Sequence, residues 1–180
     1  MKACLIDTNV LLAASAYEPT STMARNAMPL ELELREQVFN RLMEFEQSDD
    51  MLVLDMEGVI WEEYERNLPR NTSSGQQEYA WMVILHKQTT SMVSHVTIDI
   101  HDGNGERVAK VNPPLDQLVS DREDRKWVAA AISHKELHNE EAVIIYGAET
   151  DWFKIEGQLS QIGIKLERVL PNDWYQKRMK

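Results

Sequence analysis

Cysteine is almost absent from this chain of 180 residues: the single one, Cys4, sits inside a short apolar run. One thiol excludes a disulfide framework within the chain and fits a reducing compartment. Cys4 itself reads as a small buried structural residue. Long hydrophobic runs are missing as well. No stretch approaches the roughly 20 consecutive apolar residues that a membrane helix needs. Asp7 interrupts the first apolar run too early for a secretory signal. The expectation is a cytoplasmic protein with no membrane partner. Positive charge is scarce: 19 Lys and Arg face 30 Asp and Glu, a formal net charge of -11. Such a chain repels nucleic acid at long range. That objection is met if several acids face a divalent cation and the basic side chains line one rim. Internal repeats and inter-domain linkers are also lacking.

What is present is enough apolar material, 43% of residues, for one sizeable core and one domain. An apolar strand over residues 3–6 stops at Asp7 and is followed by a small-residue helix over 10–15. Residues 19–29 form a polar loop. Leu34, Val38, Leu42 and Phe45 recur at helical spacing within 30–46. A second apolar strand over 51–54 ends in Asp55. Val59, Ile60, Tyr64 and Leu68 mark a helix closed by Pro69. Residues 76–91 form a further helix, with Tyr79, Met82, Val83 and Leu85 on its apolar side. Val96, Ile98 and Ile100 alternate with polar residues, then comes Asp102-Gly103-Asn104-Gly105 and an apolar stretch over 108–111. That pattern reads as a hairpin; as a calcium loop it is too short. A helix over 122–137 turns Trp127, Val128, Ala131 and Ile132 inward. A third core strand covers 142–146. Trp152, Ile155 and Leu159 mark a helix, and a last strand runs over 163–170. Strands alternating with helices predict an α/β fold, a three-layer α/β/α sandwich with a central, mainly parallel sheet.

In such a sheet, ligands bind beyond the carboxyl ends of the strands. Asp7 follows the first strand, Asp55 the second, and Glu149 with Asp151 the third. Glu62 or Glu63, and Asp121 or Asp124, lie near helix starts. Carboxylates gathered at one edge repel one another unless a cation sits among them. Hard oxygen donors suit Mg²⁺ or Mn²⁺ rather than zinc. Acids are also common at helix N-termini for dipole reasons, so spacing alone leaves a purely structural reading open. His134 and His138 stand four apart on one helix, but with no glutamate at the zincin position they read as a solvated helix end. Trp81, Trp127 and Trp152 read as core. Trp61, Trp174 and Tyr175 read as packing residues, with base stacking as the other option.

Leu5-Ile6-Asp7-Thr8-Asn9-Val10-Leu11-Leu12 resembles the opening of PIN domains: an apolar strand, Asp-x-Asn, then an apolar helix. Asp121-Arg122-Glu123-Asp124-Arg125-Lys126-Trp127-Val128-Ala129-Ala130-Ala131 resembles the family's central block. Ala142 through Trp152, with Glu149-Thr150-Asp151 before the tryptophan, resembles its final acidic block. Val59-Ile60-Trp61-Glu62-Glu63-Tyr64 resembles the helix that carries the remaining glutamate. The blocks follow in the family's order. The resemblance implies one PIN-like domain over residues 1–171, elaborated at 18–30 and 94–114, with a short basic tail over 172–180. It implies a metal-dependent endoribonuclease using Mg²⁺ or Mn²⁺ on an RNA substrate, and the family includes toxins and defence effectors. An inhibitory or complex-forming protein partner, or a homodimer, is compatible with it.

By this resemblance the catalytic carboxylates are Asp7, Glu63, Asp124 and Asp151, and Asp121 and Glu149 join them as metal ligands. Glu63 is favoured over Glu62 because it borders the apolar helix face. Asp151 is favoured over Glu149, since the family more often has Asp where Glu149 stands. Asp55 reads as structural. Asn9, Arg66, Arg122, Arg125, Lys126 and Lys154 are the expected contacts to the nucleic acid. The alternative within the family is a catalytically inactive PIN-like module used for protein contacts. A phosphatase with an aspartyl nucleophile is a third option, but Asn9 occupies the second position of its Asp-x-Asp start.

Overall fold

β1 (Ala3–Ile6) is buried along its whole length, as expected of a short apolar strand with helices on both sides. The computed structural model describes residues 1–103 and 106–179. After β1 come α1 (Thr8–Ser15), α2 (Leu32–Gln47), β2 (Met51–Asp55), α3 (Val59–Asn67) and α4 (Tyr79–Thr89). They are followed by β3 (Val93–Val96), β4 (Ile100–Gly103), β5 (Glu106–Ala109), α5 (Leu115–Leu118) and α6 (Arg125–His138). β6 (Ala142–Tyr146), α7 (Thr150–Gln161), β7 (Lys165–Arg168) and α8 (Asn172–Arg178) complete the described elements.

The sheet order is β3-β2-β1-β6-β7 and every pairing is parallel. Helices flank this sheet in a three-layer α/β/α sandwich. α1, α2 and α4 pack on one another, while α3 and α6 pack together and against β2. The chain leaves β1 toward β2 on one side and returns through β6 on the other. The topological switch point therefore lies between β1 and β6, where parallel sheets open a crevice at their carboxyl ends. Two tyrosines tie down the backbone at this edge. The Tyr64 hydroxyl donates to the Ile6 carbonyl and the Tyr175 hydroxyl to the Gly147 carbonyl, both at 2.6 Å.

Several sequence expectations need correction. Residues 172–180 are no free tail, because α8 buries Trp174 and Tyr175 against the core. Tyr175 stacks on Phe153, so neither ring is offered to a base. The elaboration expected at 94–114 begins inside β3, which belongs to the main sheet. The alternation of Val96, Ile98 and Ile100 spans the end of β3 and the start of β4, and Val96 and Ile98 are buried. The hairpin itself is β4 paired with β5. Asn104 and Gly105, at its expected turn, lie outside the described residues, as does Lys180. Met82 is exposed, and buried Lys87 lies on the inner side of α4, its ammonium held by the carbonyls of Ser48 and Asp50. His134 is buried rather than solvated, its ring against the Glu140 carbonyl. Cys4 is buried as expected, which pushes its thiol up to about 12. Among the described residues no helix is long and apolar enough to cross a membrane.

The segment before α2 owes its shape to one buried cation. The Arg35 guanidinium donates to the carbonyls of Ala16, Ala24, Ala27 and Pro29. Replacing it would leave four carbonyls in a buried region without their donor. Arg35→Met is expected to cost about 3 kcal/mol or more, since bonds to a charged group are each worth roughly 1.5–3 kcal/mol. It should also open residues 16–29 to proteolysis before global unfolding. Urea denaturation and limited proteolysis check both; an unchanged cleavage pattern would show that the segment holds its shape without Arg35.

Candidate active site

Asp7 follows β1 directly and is 3% exposed. It caps α1, one oxygen accepting the Asn9 backbone N–H at 2.7 Å. Its other oxygen accepts the Trp152 indole N–H at 2.8 Å. Burial, and then the nearby charges of Glu63 and Glu149, push the Asp7 carboxyl up to about 6 despite these hydrogen bonds. Asp124, at the N-terminus of α6, is pushed up to about 8, first by burial and then by Asp7, Asp121 and Glu149. Lys126 opposes that rise. Glu149 caps α7 by accepting the Asp151 N–H, and its second oxygen faces the Asn9 amide at 3.5 Å. Glu63, on the inner face of α3, accepts the Thr8 hydroxyl at 2.5 Å and pairs with the buried Lys126 ammonium. Lys126 also donates to the Glu123 carbonyl.

The structure thus brings Asp7, Glu63, Asp124 and Glu149 into one another's fields at the switch point. Asp121 lies beside Asp124, exposed, holding the turn before α6 by accepting the Glu123 N–H. Asp151 does not join them. It has rotated outward in the first turn of α7 and pairs with Lys154 at 2.6 Å, both side chains about half exposed. It lines a 160 Å³ depression together with Asp121 and Asp124. The two acids thus differ in surround: Glu149 caps the helix beside Asn9, and Asp151 faces Lys154. Between the neighbours on α3, Glu63 points inward and Glu62 is exposed, paired with Arg107. Asp55 is structural, accepting the Val59 and Ile60 N–H groups at 2.8 Å.

The expected nucleic-acid contacts divide. Arg125 is held by the Val119 and Asp116 carbonyls and Lys126 by Glu63, so neither is free to grip a strand. Lys154 is occupied by Asp151. Arg66 and Arg122 are exposed, with only long contacts to Glu123 and Glu106, 4.0 and 3.9 Å. Sequence reasoning gave no role to Thr8 or Arg107, and it read Trp152 as core and as the tryptophan closing the last acidic block without its hydrogen bond to Asp7. Thr8 lies between two residues already singled out, and no pattern in the chain marks Arg107.

Among the described residues, no three Asp, Glu, His or Cys side chains already surround a common point. Glu63 is turned to Lys126 and Thr8, and Asp7 to Trp152 and Asn9. The donor set nevertheless suits a hard divalent ion by its chemistry. All its donors are carboxylate oxygens, and Asp7 and Asp124 repel each other without a cation between them. No protein-family model matches the chain, and no curated protein matches it.

Asp7 and Asp124 set a pH dependence. Their folded values lie above the ordinary 3.8. Each therefore contributes stability that is full below that value and is lost as pH rises through the folded value. In the presence of chelator, the melting temperature should fall between about pH 5 and pH 9. Asp124→Asn should be more stable than the parent at the alkaline end and flatten the upper half of the curve. Thermal melts across this range decide it; parallel curves for parent and variant would show that Asp124 carries no such strain.

Proposed function

We propose that this protein is a metal-dependent endoribonuclease with a PIN-like active site, cutting RNA at the carboxylate cluster beside β1. The observation that carries the reading is the pair Asp7 and Asp124. Both are raised first by burial, Asp7 then by Glu63 and Glu149 and Asp124 then by Asp7, and they sit at the topological switch point of a parallel sheet. Asp7, Asp124 and Glu149 would hold Mg²⁺ or Mn²⁺, with Glu63 joining if it leaves Lys126. A bound ion of this kind lowers the pKa of its water and screens the phosphate under attack. The protein's own part is orientation. The Trp152 indole fixes one Asp7 oxygen, the Asn9 N–H fixes the other, and the Asn9 amide faces Glu149. The choice of RNA follows the motif resemblance, as does an inhibitory protein partner.

One observation favours a second reading. The Lys126–Glu63 pair neutralises part of the cluster without any metal, as expected of an inactive PIN-like module kept for protein contacts. Labelled single-stranded RNA and DNA incubated with Mn²⁺ or with chelator separate the two. The nuclease reading expects metal-dependent cleavage that Asp124→Asn abolishes. Calorimetric titration of Mn²⁺ is the second readout. Trp152→Phe removes only the donor that orients Asp7 and should weaken the ion about 10–100-fold, as loss of an outer-shell partner does. No cleavage together with no heat of Mn²⁺ binding would hand the site to the inactive reading.

A further inference from the structure

Lys126 is a buried cation at the carboxylate cluster, and its own helix gives no reason for it. It is the second residue of α6, and a positive charge in a first turn opposes the helix dipole. Lysine is rarely buried unless paired, and Lys126 is 6% exposed. Three groups hold its ammonium. It pairs with Glu63 from α3, donates to the Glu123 carbonyl, and lies 5.4 Å from the centre of the Trp127 ring. A side chain set against two local preferences is there for its surround. That surround is Glu63, which is engaged at both oxygens: one accepts the Thr8 hydroxyl and the other meets the ammonium. Thr8 follows Asp7, and Lys126 comes two residues after Asp124. The pair is thus built into the same two helix starts that carry the raised acids.

We infer that Lys126 takes the place of a second cation: the cluster accepts one divalent ion, among Asp7, Asp124 and Glu149, while Glu63 stays with the lysine. The inference rests on the metal part of the reading above and not on the choice of substrate. Four carboxylates in one another's fields carry charge enough for two divalent ions. Lys126 takes one of the four out of that count. A divalent ion on a Glu63 oxygen would meet the ammonium already there, and like charges so close repel strongly away from water. Drawing Glu63 off Lys126 would also leave a buried ammonium without its counter-charge. The other three acids differ in kind. Asp7 accepts from the Trp152 indole and the Asn9 N–H, and Glu149 from the Asp151 N–H, all neutral donors. The Asp124 side chain makes no cap bond to α6. These oxygens answer to an ion that no lysine forestalls. Lys126 is therefore a positioning residue that sets the number of ions, and this role is particular to a chain with lysine at that place.

The test counts bound Mn²⁺ per full chain from the loss of the free ion's paramagnetic resonance signal, with no nucleic acid present. Affinity is read from the same titration. The parent should bind one ion. Lys126→Met removes the charge, keeps much of the volume and should bind two; a merely structural lysine would leave the count at one. Lys126→Met with Glu63→Gln replaces the ion pair by a neutral pair of similar shape, so that no charge is stranded in the core. It should bind one ion with close to the parent's affinity, because Glu63 is not among the ligands. A second ion in the parent overturns the inference, as does a single ion in folded Lys126→Met. If that variant does not fold, the neutral pair decides: one ion at parental affinity upholds the inference. A loss of about 10-fold or more, the scale of losing even an outer-shell partner, places Glu63 among the ligands and overturns it. An ion-free parent overturns it as well. If no variant binds an ion either, the metal reading fails with it, whereas a wrong count fails the inference alone.

Discussion

A carboxylate buried at the end of the central strand, with no cation of its own, is the constraint around which this molecule is arranged. Asp7 is nearly inaccessible, and its two oxygens accept an indole N–H and a backbone N–H. Those two bonds favour the charged form, but burial outweighs them. Holding such a group in place takes a rigid surround. Trp152 is fully buried on α7, Tyr64 locks the end of β1 through the Ile6 carbonyl, and Tyr175 from α8 locks the end of β6 through Gly147. The C-terminal helix is thus part of the support for the edge that carries Asp7. Strain concentrated at one point of an otherwise consistent fold is what a functional site looks like in energetic terms.

Lys126 divides that strain unevenly. Its ammonium, buried and shared between Glu63 and the Glu123 carbonyl, neutralises one acid of the cluster. Asp7, Asp124 and Glu149 remain without an equivalent partner. A buried ion pair gives little net stability, but removing one partner costs several kcal/mol because the other charge is then stranded. Glu63 and Lys126 therefore hold each other in place, and an ion that recruits Glu63 must supply at least the charge that Lys126 now provides. The two halves of the cluster differ accordingly: Glu63 has an ammonium against it, while Asp7 and Asp124 carry the rise that burial and neighbouring acids impose.

The fold was legible because its signal is repetitive. Four apolar strand runs alternating with helical periodicity yielded the layer order, and the acids that end β1 and precede α6 could be read from their place after a strand or before a helix. Glu63 was legible from its position at the border of an apolar face. The different surrounds of Glu149 and Asp151 were not, because two acids two residues apart look alike in sequence and differ only in how far the chain turns between them. Arg125 and Lys126 read as surface cations because a basic pair at a helix start usually is one. Only the three-dimensional surround shows that carbonyls of Val119 and Asp116 claim the first and Glu63 the second. α8 was missed because seven residues rich in charge carry too little period to declare a helix; Trp174 and Tyr175 acquire meaning only where they land.

Net charge was the strongest sequence-level objection to a nucleic-acid substrate, and the structure changes its weight. Exposed charges are screened beyond about 8–10 Å at physiological salt, so a polyanion at the surface responds mainly to what lies within that distance. Glu33, Glu36 and Glu44 are spread along α2, which packs with α1 and α4, whereas Arg66, Arg107 and Arg122 line a depression walled by α3, β5 and the turn before α6. There each of the three arginines, and Lys126, has a carboxylate partner, and the acids just inside would suit a divalent ion by their oxygen donors. With that ion in place the negative half of the site becomes the attractive half. The field there would then run from these arginines to the ion, while acids elsewhere on the surface would still repel a polyanion.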